Sequence, residues 1–153
     1  MQNFASIVKQ HKPGIMKTAM TLFIVDDDAD DRQLFIDAVT EIDGAIECNT
    51  ANNGQRALEI LRDTSFPLPD FIFLDIRMPR LNGKKCLAEI KSDDRLKNIP
   101  VIIYTTSKEV AESKELRDMG AFHFISKPRN SEEIYYLISF VLEEHWNVSG
   151  NRS

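Results

Sequence analysis

A chain of 153 residues with 42% hydrophobic and 28% charged side chains is of single-domain size, and its composition excludes a collagenous or wholly disordered class. The formal charge of -5 speaks against a phosphate-backbone partner, so no nucleic-acid contact is expected. Apolar runs such as Phe71 to Leu74 and Val101 to Tyr104 are too short to span a bilayer, and no continuous apolar run opens the chain, so a cytoplasmic protein without membrane contact is expected.

Residues 1–19 mix Lys9, Lys12 and Lys17 with Pro13 and Gly14 and show no clean periodicity; they are expected to form a flexible N-terminal extension. From Thr21 the pattern turns regular. A short apolar strand, β1 (Thr21 to Val25), leads through acidic residues into a helix, α1, with Leu34, Phe35, Ala38 and Val39 at helical spacing. The unit recurs as β2 (Ala45 to Thr50) with α2 (Asn53 to Arg62), then as β3 (Phe71 to Leu74) with α3 (Gly83 to Lys91). Next come β4 (Val101 to Tyr104) with α4 (near Lys108 to Met119), and β5 (Phe122 to Ser126) with α5 (Glu132 to about His145). In α5 the residues Ile134, Leu137, Ile138, Val141 and Leu142 follow the i, i+3, i+4, i+7, i+8 rule. Alternating apolar strands and helices predict an α/β fold: a doubly wound five-stranded parallel sheet, flavodoxin-like order 2-1-3-4-5, with helices on both faces. The domain is expected over 20–146, with 147–153 as a tail.

In such a sheet, ligands bind at the carboxyl ends of the strands. There the sequence places Asp26, Asp27 and Asp28 after β1, Asp75 after β3, Thr105 and Thr106 after β4, and Lys127 after β5. Clustered carboxylates repel one another unless some are protonated or a cation sits among them. Mg²⁺ suits this set, because it is commonly held by one or two carboxylates together with substrate phosphate. Phosphoryl transfer in turn needs positioning and charge stabilisation, which Lys127 and Thr105 can supply. Asp75 follows the central strand and is the natural nucleophile, with Asp26 and Asp27 holding the ion.

The stretches FIVDDDADDR, FIFLDIRMPRLNG, VIIYTTS and FHFISKP together resemble the receiver domain of bacterial response regulators over about residues 20–146. The resemblance implies that Asp26 and Asp27 form the acidic metal site, that Asp75 is the phosphoacceptor, and that the Arg77 backbone carbonyl is a further Mg²⁺ ligand. It implies that Thr105 and Lys127 contact the phosphoryl group, and that Phe124 is an aromatic switch moving with Thr105. It also implies a cis Lys127–Pro128 bond aiming the lysine inward. The side chain of Arg77, two positions after the phosphoacceptor, departs from the family pattern and bears on phosphoryl lifetime. The TTS after β4 and the EEHW ending resemble the small stand-alone receivers that pair with phytochrome-like histidine kinases. The implied partners are a sensor histidine kinase or phosphotransfer protein, a downstream protein, and a second copy of the chain in a phosphorylation-dependent homodimer. A signalling protein rather than an enzyme is expected.

Plainer readings stand beside these. Asp28, Asp30 and Asp31 suit the acidic first turn of α1 without any metal role. Phe124 suits the core, Thr105 a strand, and Asp75 a turn cap. Cys48 and Cys86 lie outside any C-x-x-C spacing and are expected to be buried thiols; His11, His123 and His145 lack neighbours at ligand spacing. A phosphatase using Asp26 and Asp28 would leave Asp75 unexplained. A Ca²⁺ loop fails because Asp31 stands where glycine is required and Asp37 where glutamate is. A receiver-like interaction module that is never phosphorylated is the remaining alternative.

Overall fold

The computed structural model describes residues 20–78, 82–106, 110–128 and 130–150, so the expected extension over 1–19 lies outside the described residues. In chain order the elements are β1 Thr21–Val25, α1 Ala29–Ile42, β2 Glu47–Ala51, α2 Gly54–Arg62, β3 Phe71–Leu74, α3 Gly83–Ser92, β4 Val101–Thr105, α4 Val110–Asp118, β5 His123–Ser126 and α5 Ser131–Gly150. The sheet has five strands in the order β2-β1-β3-β4-β5, the flavodoxin-like arrangement expected. β1, β3, β4 and β5 pair in parallel.

Strands buried on both faces read as continuous apolar runs of branched and aromatic residues. β3, with sequence FIFL, is buried throughout, and so is β4 with VIIYT. β2, with sequence ECNTA, lies at the edge of the sheet and is mostly half-buried or exposed, which leaves Cys48 half-buried rather than buried as expected; Cys86 is buried. Burial pushes both thiols up to about 12, so neither is a ready nucleophile.

The described chain comprises two compact units. The larger, Thr21–Arg32 with Cys48–Lys127, holds most of the sheet. Here Phe23 and Val25 of β1, Ile72 and Leu74 of β3, and Val101 and Ile103 of β4 form one core cluster. Ala57, Leu58 and Leu61 of α2, Cys86, Leu87 and Ile90 of α3, and Leu116 of α4 also belong to it. α2 and α3 begin at Asn53 and Asn82, whose side chains accept from the backbone N–H of Arg56 and Lys85 and so satisfy amides the helix leaves unpaired.

The smaller unit holds the body of α1 and all of α5. α1 buries Phe35, Ala38, Val39 and Ile42, whereas Leu34, expected on that stripe, is 37% exposed. The buried set already follows i, i+3, i+4, i+7, and Leu34 falls one helical step to its side. In α5, Leu137 is exposed while Ile134, Ile138, Val141 and Leu142 are buried. α5 runs past the expected end near His145 to Gly150, the first glycine after its start, a residue type that commonly closes helices.

Candidate functional site

The parallel register sets Val25 level with Leu74, Leu74 with Ile103, and Thr105 with Ser126. Asp26, Asp75, Thr105 and Lys127 therefore emerge at one edge of the sheet. Backbone bonds extend the ladder just past the strands: Asp26 N–H donates to Ala51 O at 3.1 Å, Asp75 N–H to Val25 O at 2.9 Å, and Lys127 N–H to Thr105 O at 2.7 Å. Main-chain bonds thus help to hold these candidate residues in place.

The side chains meet around the Lys127 ammonium. Its Nζ lies 2.6 Å from Asp26 Oδ2, 2.9 Å from Asp75 Oδ2 and 3.0 Å from Asp31 Oδ2. The bonds to Asp75 and Asp31 are directed hydrogen bonds. The approach to Asp26 is a close ion pair, and Asp26 Oδ2, though buried, accepts no directed hydrogen bond. On the other side of Asp75, Oδ1 accepts from the Thr105 hydroxyl and from the Arg77 backbone N–H, each at 2.9 Å. Asp26 Oδ1 accepts from the Asp28 N–H at 3.0 Å, and its backbone carbonyl accepts from the Arg32 guanidinium at 2.7 Å.

One ammonium faces several carboxylates, and Asp26 and Lys127 shift for different reasons. Burial pushes Asp26 up to about 6; the contacts with Lys127 and the Asp28 N–H oppose the rise, and the charge of Asp75 adds to it. Burial alone would lower the Lys127 pKa, yet its bonds and charge pairing with Asp26, Asp75 and Asp31 outweigh that, so it stays firmly protonated. The opposite balances are consistent. The lysine gains from several anions at once, while Asp26 shares its cation with competitors.

Carboxylate oxygens of Asp26, Asp27 and Asp75 all lie within 4.8 Å of one another, with Asp26 and Asp75 buried and Asp27 exposed. This all-oxygen set, with a buried oxygen lacking a directed partner, fits a hard divalent cation. Phe124 is half-buried and packs against the core cluster of the larger unit. The Arg77 guanidinium pairs with Glu112 of α4 at 3.5 Å.

Two expectations change. The Lys127–Pro128 bond is not cis, since no cis peptide occurs among the described residues. Trans is the favoured isomer by roughly 0.5–1 kcal/mol, and with it Lys127 reaches all three carboxylates. Asp31, assigned above only to the first turn of α1, is a direct partner of Lys127. No local spacing signals this, because the two residues are 96 positions apart. Asp28, by contrast, does serve the helix start: its Oδ1 accepts from the Asp31 N–H at 3.0 Å. That use engages the side chain which an Asp26 phosphatase would need.

Gly83 supports the loop that carries Asp75. A Cβ there would collide with Ile76 Cα and stand 2.6 Å from the Asp75 carbonyl oxygen, both backbone atoms that cannot rotate aside. Gly83→Ala is therefore expected to cost about 2–3 kcal/mol in urea unfolding, as forced overpacking does, and to shift the Asp75 loop. An unchanged unfolding midpoint would show that the loop gives way freely.

Residues 22–139 match the family described as the response regulator receiver domain. The chain is 32% identical over 126 residues to the regulatory protein AtoC of Escherichia coli, covering 82% of this chain but only 26% of AtoC. It is 33% identical over 108 residues to the polar-differentiation response regulator DivK of Brucella anthropi, covering 71% of this chain and 84% of DivK. Among solved structures, the phosphorylated cyanobacterial phytochrome response regulator RcpA aligns with a TM-score of 0.75 at 30% identity, covering 86% of this chain and 96% of RcpA.

Proposed function

The chain belongs to the response regulator receiver family, and from that premise we propose that it accepts a phosphoryl group onto Asp75 from a phosphohistidine of a sensor kinase or phosphotransfer protein. The observation that carries this reading is the convergence on one buried carboxylate, Asp75, of the Lys127 ammonium on one oxygen and the Thr105 hydroxyl on the other. In the transfer, an Asp75 oxygen attacks phosphorus, the P–N bond to the donor imidazole breaks, and an acyl phosphate forms.

Asp26, Asp27, Asp75 and the Arg77 backbone carbonyl would hold Mg²⁺, which when bound offsets the charge on the transferring phosphoryl oxygens. Lys127 donates to one phosphoryl oxygen, and Thr105 turns its hydroxyl from Asp75 Oδ1 to another. Phe124 follows Thr105 inward, and the surface around β4 and β5 changes its affinity for a downstream protein or a second copy of the chain. Action in the cytoplasm is part of this reading; among the described residues no helix is long and apolar enough to cross a membrane. Incubation with acetyl phosphate and Mg²⁺ should add one phosphoryl group by intact mass, and a chelator should prevent it. No gain in mass under any condition would favour an interaction module that is never phosphorylated.

The same site predicts a pH dependence. Mg²⁺ requires Asp26 ionised, and its pKa near 6 makes protons competitors of the metal below that value. Affinity measured by calorimetry should fall about tenfold from pH 7 to pH 5. Without metal the sign for stability is opposite. A raised folded-state pKa stabilises below the unfolded value near 4 and is lost as pH rises through about 6, so the contribution of Asp26 to the melting temperature declines across that window. An affinity flat from pH 5 to 7 would mean that Asp26 does not hold the ion.

A further inference from the structure

We propose, resting on the phosphoacceptor reading above, that Asp31 is a positioning residue for the transfer: it holds the Lys127 ammonium beside Asp75 when the metal engages Asp26. An ammonium has three N–H donors, and Lys127 faces three carboxylates, those of Asp26, Asp75 and Asp31. Two of these belong to the group of oxygens that fits a cation; Asp31 does not. A divalent ion held among Asp26, Asp27 and Asp75 would draw Asp26 and Asp75 away from the lysine and repel its charge. Of its three carboxylate partners among the described residues, Asp31 would then remain as the full anionic one.

Its own placement suits that task. Asp31 lies in the first turn of α1, where unpaired amides favour a negative charge, and its backbone N–H is bound to the Asp28 carboxylate. The carboxylate is thereby tied to a rigid element rather than to the loop that must adapt to metal and phosphate. Lys127 has little alternative room: its side chain is 7% exposed, and its Nζ lies 5.9 Å from the centroid of the Tyr104 ring. A lysine held at one point by Asp31 is pre-oriented toward the phosphoryl oxygens, and loss of that anchor leaves it pushed off by the ion.

The test uses Asp31→Asn, which keeps shape and removes charge, with Asp31→Glu, Lys127→Met and the double variant Asp31→Asn with Lys127→Met. Two quantities are measured: the rate of Asp75 phosphorylation from acetyl phosphate with Mg²⁺, and the NMR signal of the Lys127 ammonium in the unphosphorylated protein titrated with Mg²⁺ alone. Asp31→Asn should slow phosphorylation about tenfold, the worth of one charge-assisted contact, and Asp31→Glu should restore part of the rate. In the Lys127→Met background, Asp31→Asn should slow it no further. The ammonium signal should persist in the Mg²⁺-loaded wild type and broaden away in Asp31→Asn. A wild-type rate with an unchanged signal, or a full additional tenfold loss in the double variant, would overturn the role of Asp31. Should the wild type take up no phosphoryl group at all, the phosphoacceptor reading fails, and the ammonium signal still decides whether Asp31 anchors Lys127.

Discussion

Asp75→Asn is expected to abolish phosphoryl uptake, leaving less than about one thousandth of the wild-type rate, as removal of a nucleophile does. An amide cannot form the acyl phosphate, and no other carboxylate here combines the same partners. Asp26 is equally buried, but neither the Thr105 hydroxyl nor the Arg77 N–H donates to it; both donate to Asp75 Oδ1. Asp27 is exposed and Asp31 is bound to the lysine from the helix side. The substitution should leave the fold intact. An asparagine oxygen can still accept from Thr105 and Arg77, and loss of one negative charge removes a contribution that raises the Asp26 pKa. Intact-protein mass after acetyl phosphate and Mg²⁺ is the measurement. Undiminished uptake by Asp75→Asn would move the acceptor to another residue and overturn the assignment.

Lys127→Met should act on both chemistry and stability. It removes the only ammonium bound to the cluster among the described residues, and loss of a preorganised charge at a site of phosphoryl transfer is expected to slow the reaction about 10²–10³-fold. It also leaves Asp26 and Asp75 buried without their cation, a change that costs about 3–5 kcal/mol where one partner of a buried pair is deleted. That cost should be largest above pH 6, where Asp26 is ionised, and smaller in acid, where it is protonated. Mg²⁺ should recover much of the lost stability by taking the place of the lost positive charge, a recovery that urea unfolding with and without the ion would display. A variant as stable as wild type in the absence of metal would show that the lysine is not what balances these carboxylates.

Much of this candidate site is legible in the sequence because its parts sit at positions with local signatures. Apolar runs of four or five residues ending in Asp, Thr or Lys mark strand ends, and a parallel sheet of known order must bring those ends to one edge. Asp26, Asp75, Thr105 and Lys127 are such residues, and their convergence follows from register once the strands are found. Asp28 was legible as a helix-start acid for a similar reason, since its role is played within its own turn.

Asp31 was not, because two acids in one helical turn look alike in sequence and differ only in what lies opposite. Asp28 accepts from the backbone N–H of Asp31 three residues on, whereas Asp31 meets a lysine that the chain reaches only after 96 further positions. The collision surface behind Gly83, the trans bond after Lys127 and the outward lean of Leu34 are likewise settled by neighbours that no spacing rule names. By itself, then, the sequence determined the alternating elements, the edge where they deliver their reactive groups, and the chemistry those groups suit, since periodicity and strand ends are local properties. Only the tertiary structure decided which acids share the lysine and how far each is buried, since charge balance and desolvation depend on residues distant in the chain and close in space.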